Sequence, residues 1–137
     1  MAKNKENATA NYSAVIRESS RELSAKERVM YKDTSNAESL VDFVKAAREA
    51  GGHATIDFKD YVIIDIHNES ADNTDYTIFL FIDKAGNKYY TSSEPCWSAF
   101  ANIYAEMKDS TEDWGLEFNL LPSKKYNGKE ILTCSLI

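Results

Sequence analysis

The sequence predicts a mainly β domain of the α+β class: an OB-fold-like five-stranded barrel, with an N-terminal extension that carries a short helix. Two observations predict this fold. Apolar residues recur with strand periodicity in five runs of the 137-residue chain, and a helical pattern lies between the third and the fourth run. Three strands, a helix and two strands is the chain order of an OB-fold, a small barrel that often binds single-stranded nucleic acid.

Length and composition indicate a single globular domain. A chain of 137 residues with 43% hydrophobic residues is long enough to bury one core. We expect a flexible tail over residues 1–11 and one OB-like domain over residues 12–137. The net charge of −6 excludes a generally basic protein that coats nucleic acid. A local basic groove remains compatible with that charge, because association follows the local field as well as the total.

The cysteines and the apolar runs exclude further classes of protein. Cys96 and Cys134 are the only cysteines, which is too few for a disulfide scaffold, and we expect both to be buried reduced thiols. The N-terminus lacks the apolar stretch of a signal peptide, and no apolar run approaches the roughly 20 residues that span a bilayer. The sequence therefore predicts a cytoplasmic protein without a membrane segment.

Residues 12–33 are ambiguous, because apolar and polar residues alternate on both sides of Ser19 and Ser20. We interpret them as two short strands. The part from Arg17 to Lys32 holds five basic and three acidic residues, and forms a basic patch. A helix is predicted over residues 37–49, since apolar residues follow at helical spacing after the possible caps Ser35 and Asn36 and before Gly51-Gly52.

The three central strands are predicted from their two-residue periodicity. Residues 54–67 have one fully apolar face, with Val62, Ile64 and Ile66, and one mixed face. The run YTIFLFID is apolar on both faces, so this strand is either central and covered or offers a binding platform, with Phe79 and Phe81 as its rings. The run KYYTSS, after a Gly-containing turn, is the third strand.

The C-terminal third is predicted to be a helix followed by a hairpin. Ser93 is placed to cap the helix, and Pro95 lies in its first turn. An apolar stripe follows at helical spacing, formed by Trp97, Phe100, Ala101, Tyr104 and Met107. The strands GLEFNLL and EILTCSLI then form a hairpin whose connector is PSKKYNG.

That connector is the first candidate binding element. It carries Lys124, Lys125, Tyr126 and Lys129, with no acid before Glu130. In an OB-fold this is the mobile loop between the fourth and fifth strands. A sequence-tolerant strand binder needs cations along the phosphates and exposed rings on which bases stack, at roughly 1–3 kcal/mol per base. The loop is therefore either a clamp on a nucleic-acid strand or a plain solvated hairpin.

Tyrosines and further cations are the second set of candidates. Tyr89 and Tyr90 are adjacent in a strand, so one faces the core and the other is exposed for stacking. Tyr61, on the mixed face of the first long strand, is a stacking candidate for the same reason. Five cations would extend the cationic path, unless the basic segment is a charged strand edge that discourages aggregation: Arg17, Arg21, Lys26, Arg28 and Lys32.

Enzymatic and metal sites are not predicted. The chain contains no phosphate-binding glycine loop, no nucleophile elbow and no zinc-binding motif. His53 and His67 are separated by a strand and have no cysteine partner nearby. The acids between Asp57 and Asp75 match no calcium-loop spacing and are interpreted as a solvated rim.

Three pieces of the chain resemble a known family. They are AKERVMYKDTSNA, YVIIDIHNESADNTDYTIFLFIDKAGNKYYTSSEPCWSAFANIYAEM and LPSKKYNGKEILTCSLI, and they cover most of residues 25–137. They resemble the small single-stranded-DNA-binding proteins of tailed bacteriophages, including those of protein-primed replication systems. The resemblance implies binding of single-stranded DNA with little sequence preference during phage replication, without a catalytic residue or cofactor.

The partners expected on this basis are single-stranded DNA and replication proteins, for a monomer or weak homo-oligomer in the cytoplasm of an infected cell. The rival hypothesis is an acidic phage-encoded interaction module that inhibits a host nuclease or defence complex. A continuous face of the acids Asp57–Asp75 and Asp109–Asp113 would favour the rival. One groove lined by the hairpin lysines and the Arg17–Lys32 cations would favour DNA binding.

Overall fold

A computed structural model describes residues 11–123, 125 and 127–137. Eight strands and three helices follow one another in these residues: β1 Tyr12–Ser19, α1 Ala25–Lys32, β2 Glu38–Ser39, α2 Leu40–Glu49, β3 Ala54–Ile56, β4 Phe58–Asn68, β5 Asp75–Asp83, β6 Lys88–Thr91, α3 Glu94–Met107, β7 Leu116–Pro122 and β8 Glu130–Leu136. Residues 1–10 of the expected tail lie outside the described residues.

The strands form two sheets. The larger has the order β1-β4-β5-β6-β2, antiparallel except for β2, which pairs with β6 in parallel. The smaller has the order β3-β7-β8 and is antiparallel. The mainly β, α+β class is confirmed. The two sheets do not close into a barrel within the described residues, so the OB-fold is not confirmed.

The segment 54–67 is the main departure from the predicted strands. It divides at Asp57 into β3 and β4, which belong to different sheets. Ala54 pairs with Phe118 of β7, whereas Phe58 pairs with Asp83 of β5. Both halves have strand periodicity, so the sequence pattern does not show where β3 ends and β4 begins. The division follows from their different partner strands, which are distant in sequence.

One face of the larger sheet packs against α3 and the smaller sheet. Phe81 and Phe100 are fully buried there, with ring centroids 4.9 Å apart. Phe79 stacks on Trp97 of α3 at 4.9 Å, with an interplanar angle of 8°. Because both phenylalanines of β5 are covered, this strand is central, and the alternative of a binding platform is excluded on this face.

The opposite face of the larger sheet forms a second core. Val62, Ile64 and Ile66 of β4 share it with Leu23 and with Tyr31 of α1. These three β4 residues are at most 3% exposed. The predicted apolar face of the first long strand is therefore confirmed, and α1 is the element that covers it.

The prediction of a second short strand within residues 12–33 was wrong, because α1 occupies that place. Its start is a reciprocal capping box: Glu27 N donates to Ser24 Oγ at 3.2 Å, and Ser24 N donates to Glu27 Oε1 at 2.9 Å. Val29 and Met30 are exposed on α1, whereas Tyr31 is its buried residue. In the sequence, Ser24 is followed three residues later by Glu27, which is the pattern of a capping box and indicates the start of a helix.

The other two helices follow the predicted patterns. The expected stripe of α2 is buried at Leu40 and Val44, but the cap is Ser39, since β2 occupies residues 38–39. Ser93 caps α3 as predicted, and its Oγ accepts from Cys96 N at 3.2 Å. No helix in the described ranges is long and apolar enough to cross a membrane.

The two cysteines are free and buried, as expected. Burial raises the pKa of both thiols, that of Cys134 to about 12. A protonated thiol surrounded by apolar side chains is a weak nucleophile. Cys96 and Cys134 therefore act as small apolar residues of the core.

Candidate nucleic-acid interface

The connector between β7 and β8 closes at Ser123. Ser123 N donates to the carbonyl of Lys129 at 2.9 Å, and Gly128 N donates to the carbonyl of Ser123 at 3.0 Å. Gly128 has φ of 85°, in the left-handed region that favours glycine. Lys125 and Lys129 are exposed on this turn. The other two predicted contacts of the connector, Lys124 and Tyr126, lie outside the described residues.

Arg48 attaches α2 to the base of this hairpin. Its Nη1 donates to Glu130 Oε2 at 3.0 Å, and its Nη2 donates to the carbonyl of Leu120. Both charged side chains are nearly half exposed. In this ion pair the charges of Arg48 and Glu130 neutralise each other. The pair also holds the last turn of α2 beside the two strands whose connector carries Lys125 and Lys129.

A groove lies between α2, the start of α3 and the hairpin, and we call it the hairpin groove. Its volume is about 460 Å³. The floor is apolar, formed by Val41, Pro95, Leu120, Ile131 and Leu132. Lys45 and Glu130 line it with charge. Lys45 is exposed and has no hydrogen bond or ion pair with another described side chain, whereas Glu130 is paired with Arg48.

The first turn of α3 contributes a further positive element to the hairpin groove. Ser93 and Pro95 line it, so the N-terminal end of a 14-residue helix lies at its side. Unpaired amides at such an end carry partial positive charge and favour anions. Glu94 in the same turn is exposed and partly offsets this field.

Two of the predicted stacking tyrosines are in the core, which corrects the expectation that their rings are available to bases. Tyr61 is 7% exposed, and its ring lies 5.1 Å from those of Trp97 and Tyr104. Its hydroxyl donates to Glu18 Oε2 at 2.6 Å, and burial raises its pKa. Tyr61 faces α3, which covers the mixed face of β4.

Tyr89 and Tyr90 point to opposite faces of β6, as their adjacency predicted. Tyr89 is 9% exposed and packs on Phe43 at 4.8 Å, so it is the core member of the pair. Tyr90 is half-buried on the α1 side of the sheet. It is the member of the pair with a ring available to a ligand.

Tyr90 belongs to a second cavity, of about 350 Å³, which we call the tyrosine depression. Its residues come from the segment after α1, from β5 and from the end of β6: Thr34, Ser35, Ala37, Tyr76, Ile78, Tyr90 and Ser92. Tyr76 was not among the predicted site residues. Its place at the start of β5, on the same face as Ile78, was the available signal.

The predicted cationic path from residues 17–32 does not continue into the hairpin groove. Arg17 forms an ion pair with Asp65 at 2.5 Å, and Arg21 pairs with Glu27 and Asp60. Arg28 and Lys32 lie on α1, and the larger sheet separates α1 from the hairpin. Arg28 also donates to the carbonyl of Leu23 at 2.7 Å.

The acids between Asp57 and Asp75 do not all form the predicted solvated rim, because Asp60 is buried beneath α1 and Asp65 of β4 is paired with Arg17 of β1. Other acids of the predicted rim lie at two ends of the larger sheet. Asp57 and Asp113 line a cavity with Lys84, whose Nζ is 3.9 Å from Asp113 Oδ1. At the other end, His67 is held between Asp75 at 2.8 Å and Glu69 at 3.1 Å. The 11 residues of β4 separate these ends by roughly 35 Å. Within the described residues the rim is therefore not one continuous face.

No group of three or more His, Cys, Asp and Glu side chains in the described part of the chain is arranged to hold a metal ion. Comparison with protein-family models, with curated protein sequences and with solved structures finds no match. The resemblance to phage proteins therefore stays an expectation from the sequence.

Proposed function

We propose that this protein binds single-stranded DNA with little sequence preference, and that the hairpin groove is its primary contact. One observation carries the proposal: in a chain of net charge −6, Lys45 lines an apolar groove beside a hairpin turn that exposes Lys125 and Lys129. Lys45 thus lies in the groove itself, and Lys125 and Lys129 lie on the turn that joins the two strands lining it.

The chemistry of the groove suits an unpaired strand. Lysine side chains neutralise phosphates without reading sequence, and they release condensed counterions when they do so. The aliphatic floor offers contact to base faces, which a duplex keeps stacked inside. The groove therefore favours a single strand over a duplex.

The biological setting belongs to the same proposal and is supported by the resemblance. It comprises phage DNA replication in the cytoplasm of an infected cell, contact with replication proteins, and action without a cofactor or catalysis. The OB-like relationship is also part of it. Its support is the chain order of β4, β5, β6, α3, β7 and β8, which is three strands, a helix and two strands.

Fluorescence anisotropy with labelled oligo-dT tests the proposal, at low and moderate salt and with duplex DNA as competitor. The Lys45→Ala/Lys129→Ala variant should bind oligo-dT more weakly, and its salt slope should be smaller by about 0.7 for each lost phosphate contact. The matched control is Lys59→Ala/Lys108→Ala, which removes two exposed lysines elsewhere.

Absence of oligo-dT binding by the wild-type protein at low salt would overturn the proposal. An equal loss in both double variants would overturn the assignment to the hairpin groove, since it would show only a dependence on net charge. The arrangement of the acids does not favour an acidic interaction module, because Asp57 and Asp113 lie at one end of the larger sheet whereas Glu69 and Asp75 lie at the other.

A further inference from the structure

The hairpin groove and the tyrosine depression are neighbours across one edge of the larger sheet. Ser92 lines the depression and the next residue, Ser93, lines the groove. On the other side of the edge, Ala37 lines the depression and Val41 lines the groove. The edge strand β2 and the first residue of α2 lie between Ala37 and Val41 in the chain. The residues that line the two cavities are therefore next to each other along the chain on one side of this edge, and have three residues between them on the other.

We propose that a bound DNA strand continues from the hairpin groove around this edge and places a base in the tyrosine depression. This inference rests on the proposed function and names a second contact for the same ligand. The larger sheet separates the two cavities on its opposite faces, so the strand wraps the edge that β2 and β6 form.

The side chains of the depression suit a nucleobase of any identity. Tyr76 and Tyr90 are half-buried, so each ring presents part of its surface, and Ile78 lies between them on the same sheet face. Every base has a π face, so contact with rings is tolerant of sequence. Tyr90 is thus the more exposed member of the predicted pair Tyr89 and Tyr90, and Tyr76 takes the place of the predicted Tyr61.

The hydroxyl groups around the rings add hydrogen-bonding capacity. Ser92 Oγ donates to the carbonyl of Thr77 at 2.7 Å, and Ser35 Oγ donates to Asp33 Oδ1 at 2.7 Å. With their hydrogens committed, both oxygens retain acceptor capacity. Thr34 contributes a third hydroxyl, which rotates to donate or accept. Such groups bind different base edges without selecting one.

The charges around the edge are mixed. Lys32, at the end of α1, lies two residues before Thr34 of the depression and has no ion pair with another described residue. Glu38 is exposed on β2, between the two cavities, and repels a phosphate that passes there. The proposed path therefore makes opposite predictions for these two charges.

A series of oligo-dT lengths, from 4 to 20 nucleotides, tests the path by anisotropy. The Tyr76→Leu/Tyr90→Leu variant keeps apolar side chains but removes both rings. It should bind the shortest oligonucleotides as the wild type does and the long ones about tenfold more weakly. The salt slope should not change, because the rings carry no charge. Tyr12→Leu, at an exposed tyrosine of β1, is the matched control.

Neutralising the two charges gives an independent readout. Glu38→Gln should tighten binding of long oligonucleotides only, and Lys32→Ala should weaken binding of the same lengths only.

Tyr76→Phe/Tyr90→Phe keeps the rings and should retain the affinity for long oligonucleotides. Thermal melting of every variant checks that the fold is intact. A photocrosslink from a 5-iodouracil oligonucleotide to Tyr76 or Tyr90, located by mass spectrometry, provides a check without substitution.

The outcomes separate this inference from the proposed function. If the lysine variants weaken binding while the tyrosine and Glu38 variants match the wild type at every length, the path around the edge is wrong and the hairpin groove stands. If the wild-type protein binds no oligo-dT, both proposals fail. If RNA of the same length binds while DNA does not, the assignment to DNA is wrong.

Discussion

Arg21 holds the buried carboxylate of Asp60 through two nitrogens. Its Nη2 is 3.1 Å from Asp60 Oδ2 and its Nε is 3.2 Å from both carboxylate oxygens, and the Asp60 side chain is 5% exposed. Ser20 Oγ donates to the same carboxylate at 3.0 Å, and the hydroxyl of Tyr31 donates at 3.2 Å. One side chain of β4 therefore fixes the segment between β1 and α1 on the sheet.

The substitution Asp60→Asn should lower the free energy of unfolding by about 2–4 kcal/mol, because it removes the negative charge beside Arg21 and replaces one of the two accepting oxygens by an NH2 group that can only donate. Urea denaturation monitored by circular dichroism measures the change. Asp65→Asn is the control, since Asp65 and its partner Arg17 are about half exposed, and it should cost less than about 1 kcal/mol. Equal losses in the two variants would contradict the role of Asp60.

Gly115 should not tolerate a side chain. A Cβ at this position would lie 2.7 Å from the carbonyl oxygen of Ile56, and Gly115 exchanges two backbone hydrogen bonds of 3.0 Å with Ile137. Gly115→Ala should therefore lower the free energy of unfolding by about 1–3 kcal/mol, through displacement of β3 from β7.

The control for this substitution is Gly52→Ala. The nearest atom to a Cβ at Gly52 is 3.9 Å away, and its φ is not in the left-handed region. Chemical denaturation of the two variants should separate them clearly. An unchanged midpoint for Gly115→Ala would show that the smaller sheet shifts to accept the methyl group.

The stability of the protein should fall as the pH rises from 6 to 8. The pKa of His67 is raised above 6.5, first by its bond to Asp75 and then by its bond to Glu69. The folded state therefore retains a proton that the unfolded chain releases. This contribution is fully present below pH 6.5 and is lost as the pH rises through the raised pKa. His67→Gln should remove the slope.

Two measurements check this pH dependence. Urea unfolding at several pH values between 6 and 7.5 avoids the ranges in which carboxylates and the thiols of the unfolded chain titrate. The pKa itself follows from the NMR titration of the His67 ring, assigned in a His53→Gln variant that leaves one histidine. A His67 pKa at or below 6.5 would contradict the prediction.

Glu130→Gln should strengthen oligonucleotide binding. The substitution removes a negative charge from the hairpin groove and releases the Arg48 guanidinium from its ion pair. An exposed pair of this kind is worth at most about 1 kcal/mol, so the affinity should rise by about threefold. Anisotropy at low salt measures it, with Glu106→Gln, at an exposed acid of α3, as the control for net charge. A weaker or equal affinity would place the strand elsewhere.

Much of the local structure could be predicted from the sequence. The alternation of Val62, Ile64 and Ile66 determined which face of β4 is apolar, and the Ser93 cap determined where α3 begins. The two-residue period placed Tyr89 and Tyr90 on opposite faces. Each of these inferences depends on residues within one turn or one strand, where backbone geometry alone sets the direction of a side chain.

The candidate site was only partly predictable. The lysines of the hairpin connector were visible as a basic run in an acidic chain, but Lys45 and Arg48 belong to a helix about 80 residues earlier. Nothing local to α2 shows that its polar side meets the hairpin. Tyr61 was misplaced for the same reason, because the mixed face of β4 is covered by α3, which follows much later in the chain.

The sequence by itself determined the class of the protein, the periodic elements and their apolar faces, because periodicity reports the local conformation of the backbone. The tertiary structure alone decided that residues 54–67 divide between two sheets, that Asp60 is the buried anchor of the N-terminal segment, and that the two cavities lie on opposite faces beside the edge strand β2. These features depend on strand register and layer packing between residues distant in the chain, and local patterns do not encode such pairings.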